Sequence, residues 1–384
     1  MDERYYWVGF NLIRGIGPVR LQALIHHFGD LETAWRAAPA DLAEAGLGPK
    51  VIERLVQARQ SVDLLKVWEK ITEQGIRIVT WLDENYPSRL KEIDQPPPVL
   101  YLRGDYLPDD QFAVAIVGTR RVTPYGRQVA DELASFLAAN GITVISGLAR
   151  GVDAIAHSAA MRAGGRTLAV LGSGVDRIYP PEHRALAEQI CAHGALVSDY
   201  APGTPPDAVN FPPRNRIISG LSLAVVVVEA GETSGALITA EFAAEQGREV
   251  FAVPGNIFAP QSKGTNKLIQ QGAQMLLSVQ DLMQALDLTR LSKQKVARRL
   301  LPADETEARL LSVLSNEPLH VDEIRQRADM PIEQVSATLV MMELKGLVRQ
   351  VGGMNYVAVH EVQSGYSVTE GPDRETEGKT ELNF

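Results

Sequence analysis

An α/β fold built on a doubly wound, mostly parallel sheet is predicted by three features of this 384-residue chain. Short runs that are apolar on both faces recur at 112–117, 142–145, 167–171, 195–198, 223–228 and 249–253. Helix-period segments separate them, among them 154–163, 183–193 and 234–246. Several runs end in glycine or small polar residues, as at Gly118-Thr119, Ser146-Gly147 and Gly172-Ser173. Strands buried on both faces belong to a parallel sheet covered by helices, and such sheets bind ligands outside the carboxyl ends of their strands.

In chain order, residues 1–74 read as a small helical domain. Gly15-Ile16-Gly17-Pro18 and Gly46-Leu47-Gly48-Pro49 form an imperfect repeat, each ahead of an amphipathic segment. A turn of this kind is the helix-hairpin-helix device, which aims backbone N–H groups at a phosphate without reading sequence. The same turns also suit a compact, SAM-like helical spacer in which they only pack, and both readings stand. Residues 75–287 form the sheet domain, with 75–111 as an extension holding the strand-like Val99-Leu100-Tyr101-Leu102. The run 288–302 is a basic linker with Arg290, Lys293, Lys295, Arg298 and Arg299 and no acid.

Residues 303–360 give three helical segments and a strand pair turning at Gly352-Gly353, the order of a winged-helix domain. Its third helix offers Glu333, Gln334 and Glu343 against one cation, Lys345, which argues for a protein-interaction or weak duplex-contact module. Residues 361–384 are acidic and polar, a disordered tail.

Composition narrows the function classes. The 45 % hydrophobic content supports a sizeable core, and Cys191 as the only cysteine allows no intramolecular disulfide. No signal-peptide pattern opens the chain and no apolar run reaches membrane-spanning length, so a cytoplasmic protein without membrane insertion is expected. The net charge of −9 means that affinity for nucleic acid would need a local basic cleft. The histidines do not cluster with acids or Cys191 at ligand spacing, so no metal is expected. No G-x-G-x-x-G follows a strand and no complete phosphate-loop motif exists, so no nucleotide cofactor is expected.

The most informative segment is Phe211-Pro212-Pro213-Arg214-Asn215-Arg216, just ahead of the apolar run 223–228. Two prolines oppose helix before Arg214, which predicts a helix starting at Arg214, its open N–H groups beside two guanidinium groups. An anion site next to an aromatic ring is what single-stranded nucleic acid needs, and the segment taken alone equally suits a core Phe211 with its arginines paired to nearby carboxylates. The strand 112–117 ends in Gly118-Thr119-Arg120-Arg121, where two arginines replace the glycine-rich loop and favour spaced phosphates over one enclosed pyrophosphate. Ser146, Gly147, Ser234 and Gly235 fall at other strand ends, and Arg177, soon after Gly172-Ser173, suits either a phosphate contact or a surface ion pair.

Taken in order, Val117-Gly118-Thr119-Arg120, Ser146-Gly147-Leu148-Ala149-Arg150-Gly151-Val152-Asp153, Ala156-His157, Val170-Leu171-Gly172-Ser173-Gly174-Val175-Asp176, Tyr179-Pro180, the block from Phe211 to Gly220, Val228-Glu229-Ala230, Ser234-Gly235-Ala236 and Ala252-Val253-Pro254-Gly255 resemble the DNA-processing protein A (DprA/Smf) family over roughly 81–286. The resemblance implies a Rossmann-like fold and a non-catalytic single-stranded DNA-binding protein of natural transformation. Such a protein forms a homodimer, protects incoming strands and loads RecA recombinase onto them. With the strand-end reading, the expected single-strand contacts are Gly118, Thr119, Arg120, Arg121, Ser146, Gly147, Arg177, Phe211, Arg214, Asn215, Arg216, Ser234 and Gly235. The family signature has serine where this chain has Thr119, which keeps the hydroxyl.

The competing reading is a nucleotide-binding or nucleotide-hydrolysing enzyme of the lysine-decarboxylase-like phosphoribohydrolase type. The stretch from Glu229 to Ile238 lacks that motif's double glycine and its glutamate at the matching place. His157, Asp153 and Glu229 are the acid–base candidates by residue type, and none is assigned a catalytic role. His157 is read as a packing histidine.

Overall fold

The computed structural model describes residues 3–286 and 304–358, except 316 and 346. The basic run 288–302 and the acidic segment 361–384 lie outside the described residues. The chain divides into two compact units, Met1–Ser292 and Lys293–Phe384.

In the first unit nine strands form one sheet: β1 (Arg77–Thr80), β2 (Val99–Gly104), β3 (Ala113–Val117), β4 (Thr143–Ser146), β5 (Thr167–Val170), β6 (Gly194–Ser198), β7 (Ala224–Val227), β8 (Glu249–Ala252) and β9 (Gln274–Met275). Their order is β1-β2-β6-β5-β4-β3-β7-β8-β9. From β6 to β9 every pairing is parallel, and β1 and β2 add an antiparallel edge beyond β6. The chain winds outward from β3 through β4, β5 and β6, then returns to β7 on the other side of β3. The carboxyl ends of β3 and β7 therefore flank the topological switch point, where this class of sheet opens a crevice.

Period-two burial explains how the sheet is covered. Ala113, Ala115 and Val117 of β3 join one core with the helices Phe211–Gly220 and Gly235–Glu245. Val114 and Ile116 join a second core with Pro124–Ala139 and Val152–Arg162 on the opposite face. All five side chains are buried, so neither face of β3 sees water.

Six helices between Arg4 and Glu73 precede β1. Both glycine turns lead into helices with proline in the first turn, Pro18–Phe28 and Pro49–Ser61. Their apolar side chains share a cluster with Val99 and Tyr101 of β2, Ala169 of β5 and Leu196 of β6, so this layer packs directly on the sheet.

The predicted helix start at Arg214 is corrected: the helix begins at Phe211, and Pro212 and Pro213 occupy its first turn. First-turn N–H groups have no partner inside the helix, so proline loses nothing there and its fixed φ suits the helix.

The second unit has the winged-helix order. Helices Glu305–Val313, Val321–Ala328 and Ile332–Leu344 pack around Leu310, Ile324, Val335 and Leu339. Strands β10 (Leu319–His320), β11 (Val348–Gln350) and β12 (Asn355–Ala358) make an antiparallel sheet in the order β10-β12-β11. Lys345 Nζ is 2.5 Å from Oε1 of buried Glu307, and Glu343 Oε1 accepts from Gln350 N at 2.9 Å. The third helix leaves Glu333, Gln334, Ala337, Val340 and Met341 exposed, a face without a cation.

Candidate nucleic-acid interface

A cleft of about 830 Å³ opens at the switch point. One wall is the loop after β3, from Gly118 to Arg121; the other runs from Gly231 through Ser234 and Gly235 into the helix Gly235–Glu245; Tyr179, Phe211, Arg214 and Asn215 complete it.

The β3 loop is shaped by close backbone approach. Thr119 N donates to Glu229 O at 2.7 Å, Val152 N donates to Thr119 O at 3.3 Å, and Thr119 Oγ1 accepts from Arg121 N at 3.1 Å. A Cβ at Gly118 would lie 2.6 Å from Val152 Cγ2 and 3.0 Å from Glu229 O, so only glycine fits there. This anchoring leaves Arg120 and Arg121 exposed, with no ion pair among the described residues.

Glu229 explains why no pyrophosphate loop is present. Its carboxylate is buried at the end of β7 and accepts from Thr123 N at 3.0 Å and Thr123 Oγ1 at 2.5 Å. Thr123 caps the helix Pro124–Ala139. The helix N-terminus that would hold a dinucleotide phosphate therefore already faces an anion of the protein itself.

Arg214 lies beneath the cleft rather than in front of it. Only 6 % exposed, it donates from Nη1 to Gly147 O at 2.8 Å and to Val170 O, and from Nε to Asn215 Oδ1 at 3.2 Å. A Cβ at Gly147 would meet Arg214 Nη2 at 2.7 Å, so glycine is needed for this approach. Burial pushes the Arg214 pKa down to about 10, with Asp153 opposing the shift, and the side chain stays charged at neutral pH. Buried Asp153 accepts from Gly147 N at 3.1 Å and Ala149 N at 3.2 Å; burial raises its pKa, and Arg214 and these N–H groups oppose the rise. The Arg214 guanidinium lies against the Phe211 ring, and Tyr179 stands with its ring centre 5.7 Å from that of Phe211.

The residues singled out from sequence fall into two groups. Gly118, Thr119, Arg120, Arg121, Phe211, Arg214, Asn215, Ser234 and Gly235 line the main cleft. Gly147 borders a small adjoining recess with Arg120, Phe211 and Arg214. Asn215 is a bridge, its Nδ2 donating to Gly235 O at 3.2 Å, and Ser234 caps the helix Gly235–Glu245. Three residues line neither space. Ser146 is buried and donates to Ile116 O at 2.6 Å. Arg177 is exposed, with Asp176 at 3.5 Å. Arg216 points the other way along its helix, to Asp199 Oδ2 at 2.9 Å and to Gln95 O.

Two contributors escaped the sequence reading. Tyr179 precedes a proline in a short loop, a signal of backbone shape that says nothing about its ring. Asp153 read as an acid candidate, and its buried loop-anchoring role depends on Arg214 arriving from a distant helix. His157 is buried, with Nδ1 2.7 Å from Thr167 Oγ1, and burial lowers its pKa to about 3, which fits a neutral packing residue.

Residues 77–287 match the model of the DNA recombination-mediator protein A family, and residues 294–354 match that of the DprA winged-helix domain. The chain belongs to the DNA recombination-mediator protein A family. Protein Smf of Synechocystis is 38 % identical over 392 aligned residues, spanning 92 % of this chain and 98 % of that protein. DNA processing protein DprA of Bacillus subtilis is 46 % identical over 224 residues, 58 % of this chain and 75 % of that protein. The X-ray structure of the Streptococcus pneumoniae family member superposes with a TM-score of 0.64 at 32 % identity, over 73 % of this chain and 96 % of that one. A Helicobacter pylori member, solved for its single-stranded DNA binding mode, superposes at 0.50 with 33 % identity over 55 % of this chain and 95 % of that one. Among the described residues no helix is long and apolar enough to cross a membrane.

Proposed function

We propose that this protein binds single-stranded DNA in the switch-point cleft without chemistry, and passes the strand to RecA recombinase in natural transformation. The observation that supports this best is the presence in one cleft of two exposed arginines, Arg120 and Arg121, without an ion pair among the described residues, and an aromatic pair, Tyr179 and Phe211. Guanidinium groups track a phosphate backbone and rings stack on bases of any kind, so binding is sequence-tolerant. Recombinase loading draws its support from the family description, a recombination mediator. Two copies joined through the sheet unit would present two clefts to one long strand and raise its apparent affinity through effective concentration. The enzyme reading is disfavoured because Glu229, the carboxylate at the matching strand end, is committed to Thr123.

Fluorescence anisotropy with labelled single-stranded and duplex oligonucleotides at several salt concentrations, and with mononucleotide as competitor, tests the reading. Preference for single strands with a log–log salt slope of about −0.7 per neutralised phosphate is expected. Salt-independent binding, preference for duplex, or full competition by mononucleotide would overturn it. Light scattering at micromolar protein tests self-association, and a monomer with and without DNA would remove that part.

A further inference from the structure

The loop after β8 presents Phe258 to solvent at 84 % exposure, the most exposed large apolar side chain among the described residues, beside Ile257 at 71 %. Hydrogen bonds hold this loop at both ends. Tyr125 Oη, on a ring that is itself 49 % exposed, donates to Pro254 O at 3.0 Å, and Asn266 bonds Gly255 N and O at 3.1 and 3.0 Å. Phe258 N donates to Asn256 Oδ1 at 2.9 Å. On the far side of Phe258, Ala230 N donates to Gln261 O at 2.8 Å, and Pro260 O lies 3.6 Å from where a Cβ on Gly231 would stand. Gly231 is cleft wall. Phe258 is thus held two residues along the chain from Pro260, which meets the cleft wall at Gly231.

An ordered loop gains nothing in folding by showing a phenyl ring to water; the gain has to come from what covers it. Charge identifies the occupant. The helix that follows, Lys263–Gln270, exposes Lys263, 3.9 Å from Glu232, and Lys267, which has no ion pair among the described residues. An exposed ring followed by a helix that exposes two cations, in a loop that meets the wall of a cleft edged by Arg120 and Arg121, suits a polyanion with stackable bases.

We propose that Phe258 is a second base-stacking platform, on which a single strand leaving the cleft past Gly231 stacks a base while Lys267 meets its phosphate. The proposal rests on the reading that the cleft holds single-stranded DNA.

The test compares oligothymidines of about six and about twenty nucleotides on the full chain, since only the longer one reaches beyond a single cleft. Phe258→Ala should weaken the long strand at least about fivefold, the equivalent of about 1 kcal/mol of stacking, and leave the short one unchanged. Phe258→Tyr should restore the parent value. In the unaltered protein, a long strand carrying 5-iododeoxyuridine should photocrosslink to Phe258 and a short one should not. Equal effects on both lengths, no effect on the long strand, or crosslinks that avoid Phe258 would overturn the platform. So would a Phe258→Ala chain that turns from dimer to monomer with the long-to-short affinity ratio unchanged, which would make the loop a contact between copies. Arg120→Ala and Phe211→Ala serve as controls: both lengths should suffer, and if neither does, the cleft reading itself fails.

Discussion

The Arg214 guanidinium carbon lies 5.8 Å from the centre of the Phe211 ring, on the same helix and below the cleft floor. The pair joins the aromatic surface to the loop after β4, because the same guanidinium holds Gly147 O. On the proposed function Arg214 is therefore a positioning residue, its guanidinium hydrogen-bonded inside the protein to Gly147 O, Val170 O and Asn215 Oδ1.

Affinity and salt dependence separate this role from a phosphate contact. Arg214→Lys should cost about 1 kcal/mol of single-strand affinity through a displaced Phe211, with the salt slope unchanged. Arg214→Ala should destabilise the fold by about 3–5 kcal/mol, since it strips buried carbonyls of their donor and buried Asp153 of its positive neighbour. A slope reduced by about 0.7 in the lysine variant would mean that Arg214 does reach phosphate.

Arg120→Ala should behave in the opposite way, losing about 1.5–3 kcal/mol of affinity and one phosphate's worth of slope, with unchanged thermal stability. Arg216→Ala should lower stability and spare binding, because it abandons Asp199, whose carboxyl pKa burial already raises against the pull of Arg216. Anisotropy and urea titrations on the two variants read both outcomes.

His157 predicts a pH dependence. Its folded-state pKa of about 3 lies below the ordinary 6.5, so between these values the unfolded chain binds the extra proton. Stability is fully present above pH 6.5 and falls by about 1.4 kcal/mol per unit below it, until the folded pKa is reached. Urea unfolding at pH 7.5 and pH 5 should show about 2 kcal/mol more acid loss in the parent than in His157→Gln. Equal losses would place the sensitivity in other groups.

Glu229→Ala should destabilise the protein by about 3 kcal/mol by removing two charge-assisted bonds to Thr123. It should also make the melting temperature rise with inorganic phosphate, because the helix N-terminus at Pro124 loses its resident anion. The parent should show no comparable phosphate effect.

A chain ending at Pro302 should keep single-strand affinity within tenfold of the parent, about 1.4 kcal/mol. The winged-helix unit offers a third helix whose exposed face holds Glu333, Gln334, Val340 and Met341, and its terminal lysine is tied to Glu307. A greater loss in a folded truncation would place that unit in the main site.

The central strands were legible because burial on both faces leaves short, almost wholly apolar runs such as Ala113–Val117 and Ala224–Val227, too short for a helix. The strand end at Arg120 followed from its glycine stop, and Phe211 from the Phe211-Pro212-Pro213-Arg214 segment ahead of the run 223–228. Arg214 and Arg216 looked alike in sequence, two guanidinium groups on one helical turn. Helical geometry turns residues two apart to different sides, one inward to Gly147 and the other to Asp199. Which of them the fold buries depends on carbonyls and acids contributed by β5, the β4 loop and the segment after β6, partners that no local pattern announces. The helix start was misplaced for a related reason: proline opposes helix only beyond the first turn, and sequence does not say where that turn begins.

On the proposed function, Glu229 at the head of the helix Pro124–Ala139 would also decide what the cleft ignores. A free nucleotide brings its charge concentrated at one end and wants one enclosed phosphate pocket, and that place is taken. A polymer distributes its charge along its length and can use exposed arginines and rings in succession. On the proposed function, the protein would work amid a large pool of monomers without being titrated by them, its selectivity for strands over nucleotides set by a carboxylate that never touches DNA.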